Sequence, residues 1–298
     1  MLRFWIFLMI VIALPAGAQN AEVLRARHAA LQVELARSEF GRPLHVESRA
    51  DGGAQTGEIY AVIDMPFSTV AAALRDADRW CEILVLPANV KQCNAANGSL
   101  GLYVAQRPQD TKEEAYRVDF RYRVPALTDQ YLQVALSAPN GPLGTRDYRI
   151  RLEAAPVDGE RTFMHLSYAY ALGLAARIAM QGYFATAGRD KVGFSVVDRE
   201  PDGRPVYVDG ARGVVERNAM RYYLAVEAYL ESLKIPPEKR LETRLRDWYA
   251  AIERYPQLEE EIGREEYLRM KRSEARERIV RAQAQEERQW TQKRPASP

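Results

Sequence analysis

The sequence has few of the residues that build metal and redox centres, since its 298 residues include only two cysteines and three histidines. It also has no excess of one charge, because 42 Lys and Arg residues balance 40 Asp and Glu residues. A strongly basic surface for nucleic acid is therefore not indicated. With 47% hydrophobic and 28% charged residues, the chain is typical of one or two globular domains and not of a disordered or multi-span membrane protein.

Motifs of common catalytic centres are missing as well. The sequence contains no H-E-x-x-H, G-x-S-x-G, Walker A or C-x-x-C motif. His28, His45 and His165 lie far apart along the chain, and we predict that each is an ordinary surface or half-buried histidine. We therefore expect no catalytic residue, no metal site and no cofactor.

The beginning of the chain has the pattern of a secretory signal peptide. Met1–Arg3 precedes an uncharged run over Phe4–Leu14, and small residues surround Ala18. The alternative, an uncleaved membrane anchor, requires about 20 apolar residues, and this run is shorter. We expect cleavage after Ala18, a mature chain that begins at Gln19 without a transmembrane span, and a periplasmic or secreted protein.

Export changes the meaning of the two cysteines, because an oxidising compartment favours pairing of thiols. Cys81 and Cys93 have eleven residues between them, and we predict that they form a structural disulfide. Two free buried thiols or a redox pair are the alternatives, although redox pairs usually have C-x-x-C spacing. In the loop between them, Asn89 and Lys91 either satisfy backbone groups or border the mouth of a cavity.

Hydrophobic periodicity predicts an α+β fold. A helix over Asn20–Phe40 precedes two strands and two short helices, and a long helix over Arg212–Lys234 has a sustained apolar stripe. Between them the turn residues, such as Asn97-Gly98, indicate an antiparallel meander. Its strands are predicted over Leu100–Ala105, Ala115–Val124, Tyr131–Ser137, Arg146–Ala154 and Thr162–Ala171.

The tail after Pro236 is rich in Arg and Glu, with apolar residues at helical spacing. Pro256 divides it into two predicted helices. A solvated helical appendage with Glu/Arg pairs is one interpretation. A helix that binds a protein partner or a second copy, through residues 238–298, is the other.

Alternate residues of the predicted strands point to opposite faces of the sheet. One phase is apolar and aromatic, whereas the other carries the charged and polar side chains, among them Arg117, Asp119 and His165. The apolar phase either packs against the long helix as core or lines a cavity for an apolar ligand with one or two polar points. For the cavity, the candidate ligand-binding residues are Tyr116, Phe120, Tyr122, Tyr148, Tyr168 and Tyr170.

Local patterns resemble the START-like domains of the SRPBCC superfamily. The stretch Gly57–Phe67 (GEIYAVIDMPF), followed by Leu74–Asp76 and Trp80, is similar to the opening of these domains, where the first strand runs into D-x-P and two short helices ahead of a tryptophan. The helix over Arg212–Lys234 resembles the long C-terminal helix that such folds hold against their sheet. Three further segments look like a group of exported bacterial members of undefined role: Trp80–Leu84, Asn89–Cys93 and Arg221–Leu224.

The resemblance covers Gly57–Lys234 and implies a helix-grip (START-like) fold, in which a curved antiparallel sheet wraps around the long C-terminal helix. It also implies a deep cavity for hydrophobic molecules between sheet and helix. The segment Leu172–Gly188 and the tail after Pro236 depart from the minimal domain. The expected organisation is a signal peptide (1–18), an N-terminal helix (19–42), a START-like domain (43–235) and a charged helical tail (236–298).

These features favour an exported binding or carrier protein that holds a hydrophobic small molecule or lipid and performs no catalysis. One alternative is a cell-envelope assembly factor that acts through the helical tail. Another is a cyclase-type enzyme, although the acid, base and Arg groups of enzymatic members have no match in the apolar phase.

Overall fold

A computed structural model describes residues 16–51, 53–186, 188–259 and 262–293. Most of the predicted signal peptide, residues 1–15, lies outside the described residues. Within the described ranges, no helix combines the length and the apolar character that crossing a bilayer requires.

The main sheet has eight antiparallel strands in the spatial order β1-β2-β8-β7-β6-β5-β4-β3. These strands are β1 (Leu44–Asp51), β2 (Ala54–Ile63), β3 (Val90–Ala96), β4 (Ser99–Val104), β5 (Tyr116–Leu127), β6 (Leu132–Asn140), β7 (Thr145–Pro156) and β8 (Thr162–Leu172). A separate two-stranded ribbon consists of β9 (Val196–Arg199) and β10 (Pro205–Tyr207).

The predicted meander is confirmed, and β3 is an addition to it. The strand was missed because its sequence, VKQCNAA, is short and does not alternate between apolar and polar residues. Asn97 and Gly98 connect β3 to β4 with φ angles of 49° and 71°, which is the left-handed conformation expected for an Asn-Gly hairpin turn.

The helices follow the predicted order along the chain. They are α1 (Ala16–Ala30), α2 (Gln32–Ala36), α3 (Phe67–Leu74), α4 (Ala77–Leu84), α5 (Leu174–Ala185), α6 (Gly210–Ser232), α7 (Pro237–Glu253) and α8 (Arg264–Lys293). The single predicted N-terminal helix is divided at Leu31, and α5 occupies the segment that departs from the minimal START-like domain.

The long helix α6 lies directly on the sheet, where it contacts β1, β2 and β8. Gly57 of β2 permits this approach, because a Cβ atom at that position would lie only 2.7 Å from the carbonyl oxygen of Val215. The strand residues of the predicted inward phase meet α6 in the main hydrophobic core. Among them are Leu102, Val118, Val134, Ile150, Leu152, Met164 and Leu166.

The N-terminal helices cover part of the opposite face of the sheet. Leu24, Leu31 and Leu35 pack against Tyr60 and Phe163 in a second hydrophobic cluster. The outward phase of β2 and β8 is therefore buried and not exposed to solvent, which changes the environment of its polar residues.

The interpretation of the tail as a solvated appendage is wrong for α7 and the first turns of α8. Leu245, Trp248 and Ile252 form an apolar stripe that joins the main core. Trp248 is fully buried and donates its indole N–H to the carbonyl of Arg221 on α6 at 3.2 Å. The hydrogen bond from the Tyr267 hydroxyl to the Leu86 carbonyl, at 2.8 Å, fixes α8 in the same way.

Cys81 and Cys93 form the predicted disulfide, which joins α4 to β3. Next to it, the buried Lys91 donates a hydrogen bond to the carbonyl of Pro108, so this lysine satisfies a backbone group. Lys271 of α8 does the same for the Val90 carbonyl at 2.6 Å. The edge of the sheet is therefore tied both to α4 and to the tail.

The Trp248→Ala substitution tests whether the tail belongs to the core. We expect it to lower the free energy of unfolding by about 3–5 kcal/mol, because it opens a cavity in a fully buried site. Urea denaturation followed by circular dichroism measures the change. Arg246→Ala is the matched control on the same helix, and its exposed ion pair with Glu242 predicts a loss below about 1 kcal/mol. Equal effects of the two substitutions would contradict the assignment of α7 to the core.

Candidate functional site

A cavity of about 1430 Å³ lies where the ends of β7 and β8 meet α6. The helix α5, the loop before β7 and the segment after α7 complete its wall. Its aliphatic and aromatic lining comprises Pro142, Leu143, Tyr148, Tyr168, Tyr170, Leu172, Ala176, Met180, Val192, Tyr207, Val214 and Pro256.

Three tyrosines from neighbouring strands form one wall of the cavity. The rings of Tyr148 and Tyr170 are stacked, with centroids 5.5 Å apart and planes at 18°. Tyr168 meets Tyr148 edge to face, with ring centroids 6.2 Å apart, and its centroid also lies 5.3 Å from that of Tyr222 on α6. Because aromatic rings in such arrangements hold one another in place, the wall is a preorganised surface for an apolar ligand.

The hydroxyl groups of this wall remain protonated at neutral pH. Burial raises the pKa of Tyr168 well above its ordinary value, and burial likewise raises the pKa of Tyr170. For Tyr148 burial also raises the pKa, although its hydrogen bond to Thr145, at 2.8 Å, acts in the opposite direction. These tyrosines can therefore donate or accept hydrogen bonds but do not supply a negative charge.

The structure brings three of the six predicted ligand-binding residues together. Phe120 is buried beside this wall, where its ring meets the edge of Tyr148 at 6.3 Å, but it does not line the cavity. Tyr122 donates its hydroxyl to the carbonyl of Leu74 at 3.2 Å, away from the cavity. Tyr116 is 41% exposed at the start of β5.

The cavity residues of α6 were missed by the sequence analysis. Val214, Arg217, Asn218 and Arg221 follow one another at helical spacing and line the cavity. This stripe of apolar and polar residues lies beside the apolar stripe of the same helix. Its helical spacing in the sequence is the signal that could have identified these residues as lining the cavity. Arg217 is buried, and its guanidinium donates to the carbonyl of Val192 at 2.7 Å.

A second group of titratable residues lies on the opposite face of the sheet. His165 is buried, with Nδ1 2.9 Å from an oxygen of Glu153 and Nε2 3.5 Å from an oxygen of Glu58. Tyr60 stacks on its ring at 4.4 Å, and the Tyr131 hydroxyl donates to Glu153. The prediction of an ordinary surface or half-buried histidine is therefore wrong for His165, because α1 covers this part of the sheet; it is confirmed for His28 and His45.

The two carboxylates determine the charge state of His165. Burial alone lowers the pKa of His165, but the hydrogen bond to Glu153 and the charges of Glu153 and Glu58 outweigh it and raise the pKa. Burial by itself raises the pKa of Glu153 and of Glu58. The hydrogen bond and charge of His165 outweigh this effect of burial, so the pKa of each glutamate lies below its ordinary value. The group is thus a charged cluster under the N-terminal helices and lies outside the cavity.

Metal binding finds no support in the described part of the chain, where no group of three or more His, Cys, Asp or Glu side chains is placed to hold an ion. Within the same ranges, the carboxylates that line the cavity are Asp190 and Glu259, and both are exposed.

The His165 cluster predicts a pH-dependent contribution to stability. Because the pKa of His165 is raised on folding, its contribution is complete below its ordinary value of 6.5 and is lost as the pH rises through the folded-state pKa. The glutamates contribute above their ordinary value of 4.5, and this contribution is lost as the pH falls through their lowered pKa. We expect the free energy that the cluster adds to be greatest between these two values.

His165→Gln tests this, since glutamine keeps a hydrogen-bond donor but does not titrate. The difference in free energy of unfolding between the wild type and this variant should decrease as the pH rises above 6.5, the ordinary pKa of histidine. Urea titrations at a series of pH values measure it. A difference that does not change with pH would contradict the charged state of His165.

No family model matches the chain, and no curated protein matches it. Solved structures that are similar include a START superfamily protein from Mycobacterium smegmatis, 13% identical, with a TM-score of 0.30 over 44% of this chain and 92% of that chain. The Zhui aromatase/cyclase from a Streptomyces species is 15% identical, with a TM-score of 0.32 over 66% of this chain and 93% of that chain. Ara h 8.0201 is 12% identical, with a TM-score of 0.35 over 60% of this chain and 99% of that chain.

Similarities of this size carry no argument about activity, and the fold is assigned from the topology of the chain itself. Strand β2 leads through Asp64 and Pro66 into α3 and α4, after which the remaining strands of the main sheet follow as a meander. Because α6 then lies across this curved antiparallel sheet, the chain has the START-like, helix-grip fold.

Proposed function

We propose that this chain is an exported binding or carrier protein that holds a hydrophobic, lipid-like small molecule in its START-like cavity and performs no catalysis. The observation that carries the proposal is the cavity with its wall of Tyr148, Tyr168 and Tyr170. This is the arrangement expected of a ligand site, where apolar walls supply affinity and a few polar groups supply orientation.

The size and chemistry of the cavity favour a large apolar ligand. Its volume of about 1430 Å³ exceeds the roughly 300–1000 Å³ that is common for sites of drug-sized molecules. Leu172, Met180 and Val214 provide aliphatic surface next to the aromatic wall. Burying such surface of a ligand contributes about 25 cal/mol for each Å² removed from water.

The polar groups of the site favour orientation of a ligand over a reaction. The tyrosine hydroxyls are protonated donors, and Arg217 supplies a cation at the α6 side of the cavity. General acid and base catalysis requires groups whose pKa lies near the working pH. Among the described lining residues, the two carboxylates are exposed, and the tyrosines of the wall have raised pKa values.

Export remains part of the proposal, and two features support it. The first is the signal-peptide pattern that ends at Ala18. The second is the disulfide between Cys81 and Cys93, because such bonds persist mainly in oxidising compartments such as the periplasm.

Two measurements test ligand binding. The protein is purified from the cellular compartment in which it is found and extracted with organic solvent. Mass spectrometry of the extract should detect one apolar compound, in an amount close to one molecule for each protein chain. A dansylated fatty acid and a fluorescent sterol should bind to the delipidated protein. Absence of an extractable compound together with absence of binding to both probes would contradict the proposal.

The Met180→Trp variant tests whether the ligand occupies this cavity. Tryptophan fills part of the volume, so binding of the fluorescent probe that the wild type accepts should weaken by at least about tenfold. Tyr116→Phe is the control, because Tyr116 is an exposed tyrosine outside the cavity and its loss should leave binding unchanged. Unchanged binding in Met180→Trp, with the fold intact by circular dichroism, would place the ligand elsewhere.

The assembly-factor alternative is supported by Ile279 and Val280, which are 53% and 63% exposed on α8. To test this alternative, the intact chain is used to capture an envelope protein, and the capture is repeated with the variant Ile279→Ser/Val280→Ser. The alternative predicts that the variant loses the capture. Loss of capture with probe binding intact would favour that alternative.

A further inference from the structure

Four arginines lie side by side on the outward face of the main sheet, opposite the face that carries α6 and the cavity. We call this group the arginine face, and it consists of Arg121, Arg123, Arg149 and Arg151. Arg121 of β5 and Arg149 of β7 both pair with Ser137 of the central strand β6. One row further along, Arg123 and Arg151 both pair with Ala135. Because Phe120 and Ile150, next to them in sequence, point inward into the main core, all four arginines point outward.

The small residues between the arginines leave a groove. Neighbouring strands are about 4.8 Å apart, so the Cα atoms of Arg121 and Arg149 are about 10 Å apart, and the side chain of Ser137 fills little of that gap. A groove of about 680 Å³ crosses this row, and its lining includes the exposed residues Ser99, Arg121, Ser137 and Arg149. All four arginines are exposed, since the N-terminal helices pack on another part of this face, around Phe163.

This face has an excess of positive charge. Strands β5, β6 and β7 contain six arginines but only three carboxylates. Each carboxylate already has a basic partner, and the pairs are Asp119 with Arg117 at 2.9 Å, Asp147 with Arg146 at 3.7 Å and Glu153 with His165 at 2.9 Å. Within the described ranges, the four residues of the arginine face form no ion pair and no hydrogen bond through their side chains. An exposed cluster of one sign attracts a ligand of the opposite sign.

The surroundings of the arginines favour a ligand that is recognised by charge and hydrogen bonds. In the described parts of β5, β6 and β7, the exposed large hydrophobic side chains are Tyr116 and Leu127, at the two ends of β5. The groove therefore lacks the apolar core of a typical protein interface and the aromatic surfaces on which single-stranded nucleic acid stacks. What it offers beside guanidinium groups is the exposed hydroxyls of Ser99 and Ser137. Carboxylates and hydroxyls occur together on acidic polysaccharides.

We propose that the arginine face binds an acidic polysaccharide, whose sugars carry carboxylate groups. A guanidinium donates two parallel N–H bonds to a carboxylate, which is the strongest contact that an exposed arginine makes with an anion. Ser99 and Ser137, at the floor of the groove, exchange hydrogen bonds with sugar hydroxyls. The proposal goes beyond the binding of an apolar molecule, because it concerns the opposite face of the sheet and does not depend on what the cavity holds.

Isothermal titration calorimetry of the full chain with polygalacturonate tests the proposal. The wild type should bind this polymer, and the fully methyl-esterified polymer, in which the same sugars carry no charge, should bind at least about tenfold more weakly. Binding should also weaken as the salt concentration rises, since salt screens exposed charges. No binding of polygalacturonate, or equal binding of the esterified polymer, would overturn the proposal.

The variant Arg121→Gln/Arg149→Gln tests the position of the site. It removes two guanidinium groups that line the groove and should bind polygalacturonate at least about tenfold more weakly than the wild type. Arg254→Gln/Arg276→Gln is the matched control, because it makes the same change in net charge at two exposed arginines after α7 and on α8, and it should bind like the wild type. Equal weakening in both variants would show an effect of net charge alone and would overturn the site.

Two further measurements complete the test. Polyglutamate and a DNA duplex are titrated into the wild type, and either of them binding as tightly as polygalacturonate would overturn the assignment to a polysaccharide. Binding of the fluorescent apolar probe to Arg121→Gln/Arg149→Gln should equal that of the wild type, because neither arginine lines the cavity. Loss of probe binding together with loss of polygalacturonate binding would mean a damaged fold and would contradict two independent sites.

Discussion

The close packing of α6 on β2 is the contact on which the rest of the structure depends. At Gly57 no side chain separates the two elements, and the carbonyl of Val215 comes near the strand. From this position the helix covers the inward face of β1, β2 and β8, and it also contacts α4 and α7. The stripe from Val214 to Arg221 is left to face the cavity. One helix therefore closes the core, supports the tail and forms a wall of the cavity.

Much of the fold could be predicted because the information is local. Alternation along β5 to β8 determines which residues point inward, and Asn97-Gly98 specifies a hairpin whatever surrounds it. The position of Tyr148, Tyr168 and Tyr170 on one side of the sheet followed from the same rule. Alternation does not say what lies opposite each residue. It therefore could not predict that Tyr122 reaches the Leu74 carbonyl of α3, or that Tyr116 is exposed, while the three tyrosines line the cavity.

The misinterpreted regions are those whose burial depends on contacts between distant segments. His165 lies on the polar phase of β8. Only the contacts made by Leu24, Leu31 and Leu35 of the N-terminal helical segment, more than a hundred residues earlier, show that this phase is covered. The helix α7 is rich in Arg and Glu, and its apolar stripe with Leu245 and Trp248 has the spacing of any amphipathic helix. Spacing shows that such a stripe needs a partner, but it does not identify α6 as that partner.

The attachment of α8 to the edge strand β3 has a consequence for the order of events during synthesis. An uncovered edge strand is a template for pairing with another chain. The hydrogen bond from Lys271 to the Val90 carbonyl spans 181 residues, so the ribosome must add that many residues after β3 begins before this cover can exist. A nascent chain that has not yet reached Lys271 therefore presents an uncovered strand edge, whereas this edge is covered in the folded chain. Chaperones that hold unfolded chains would have the greatest effect in this interval.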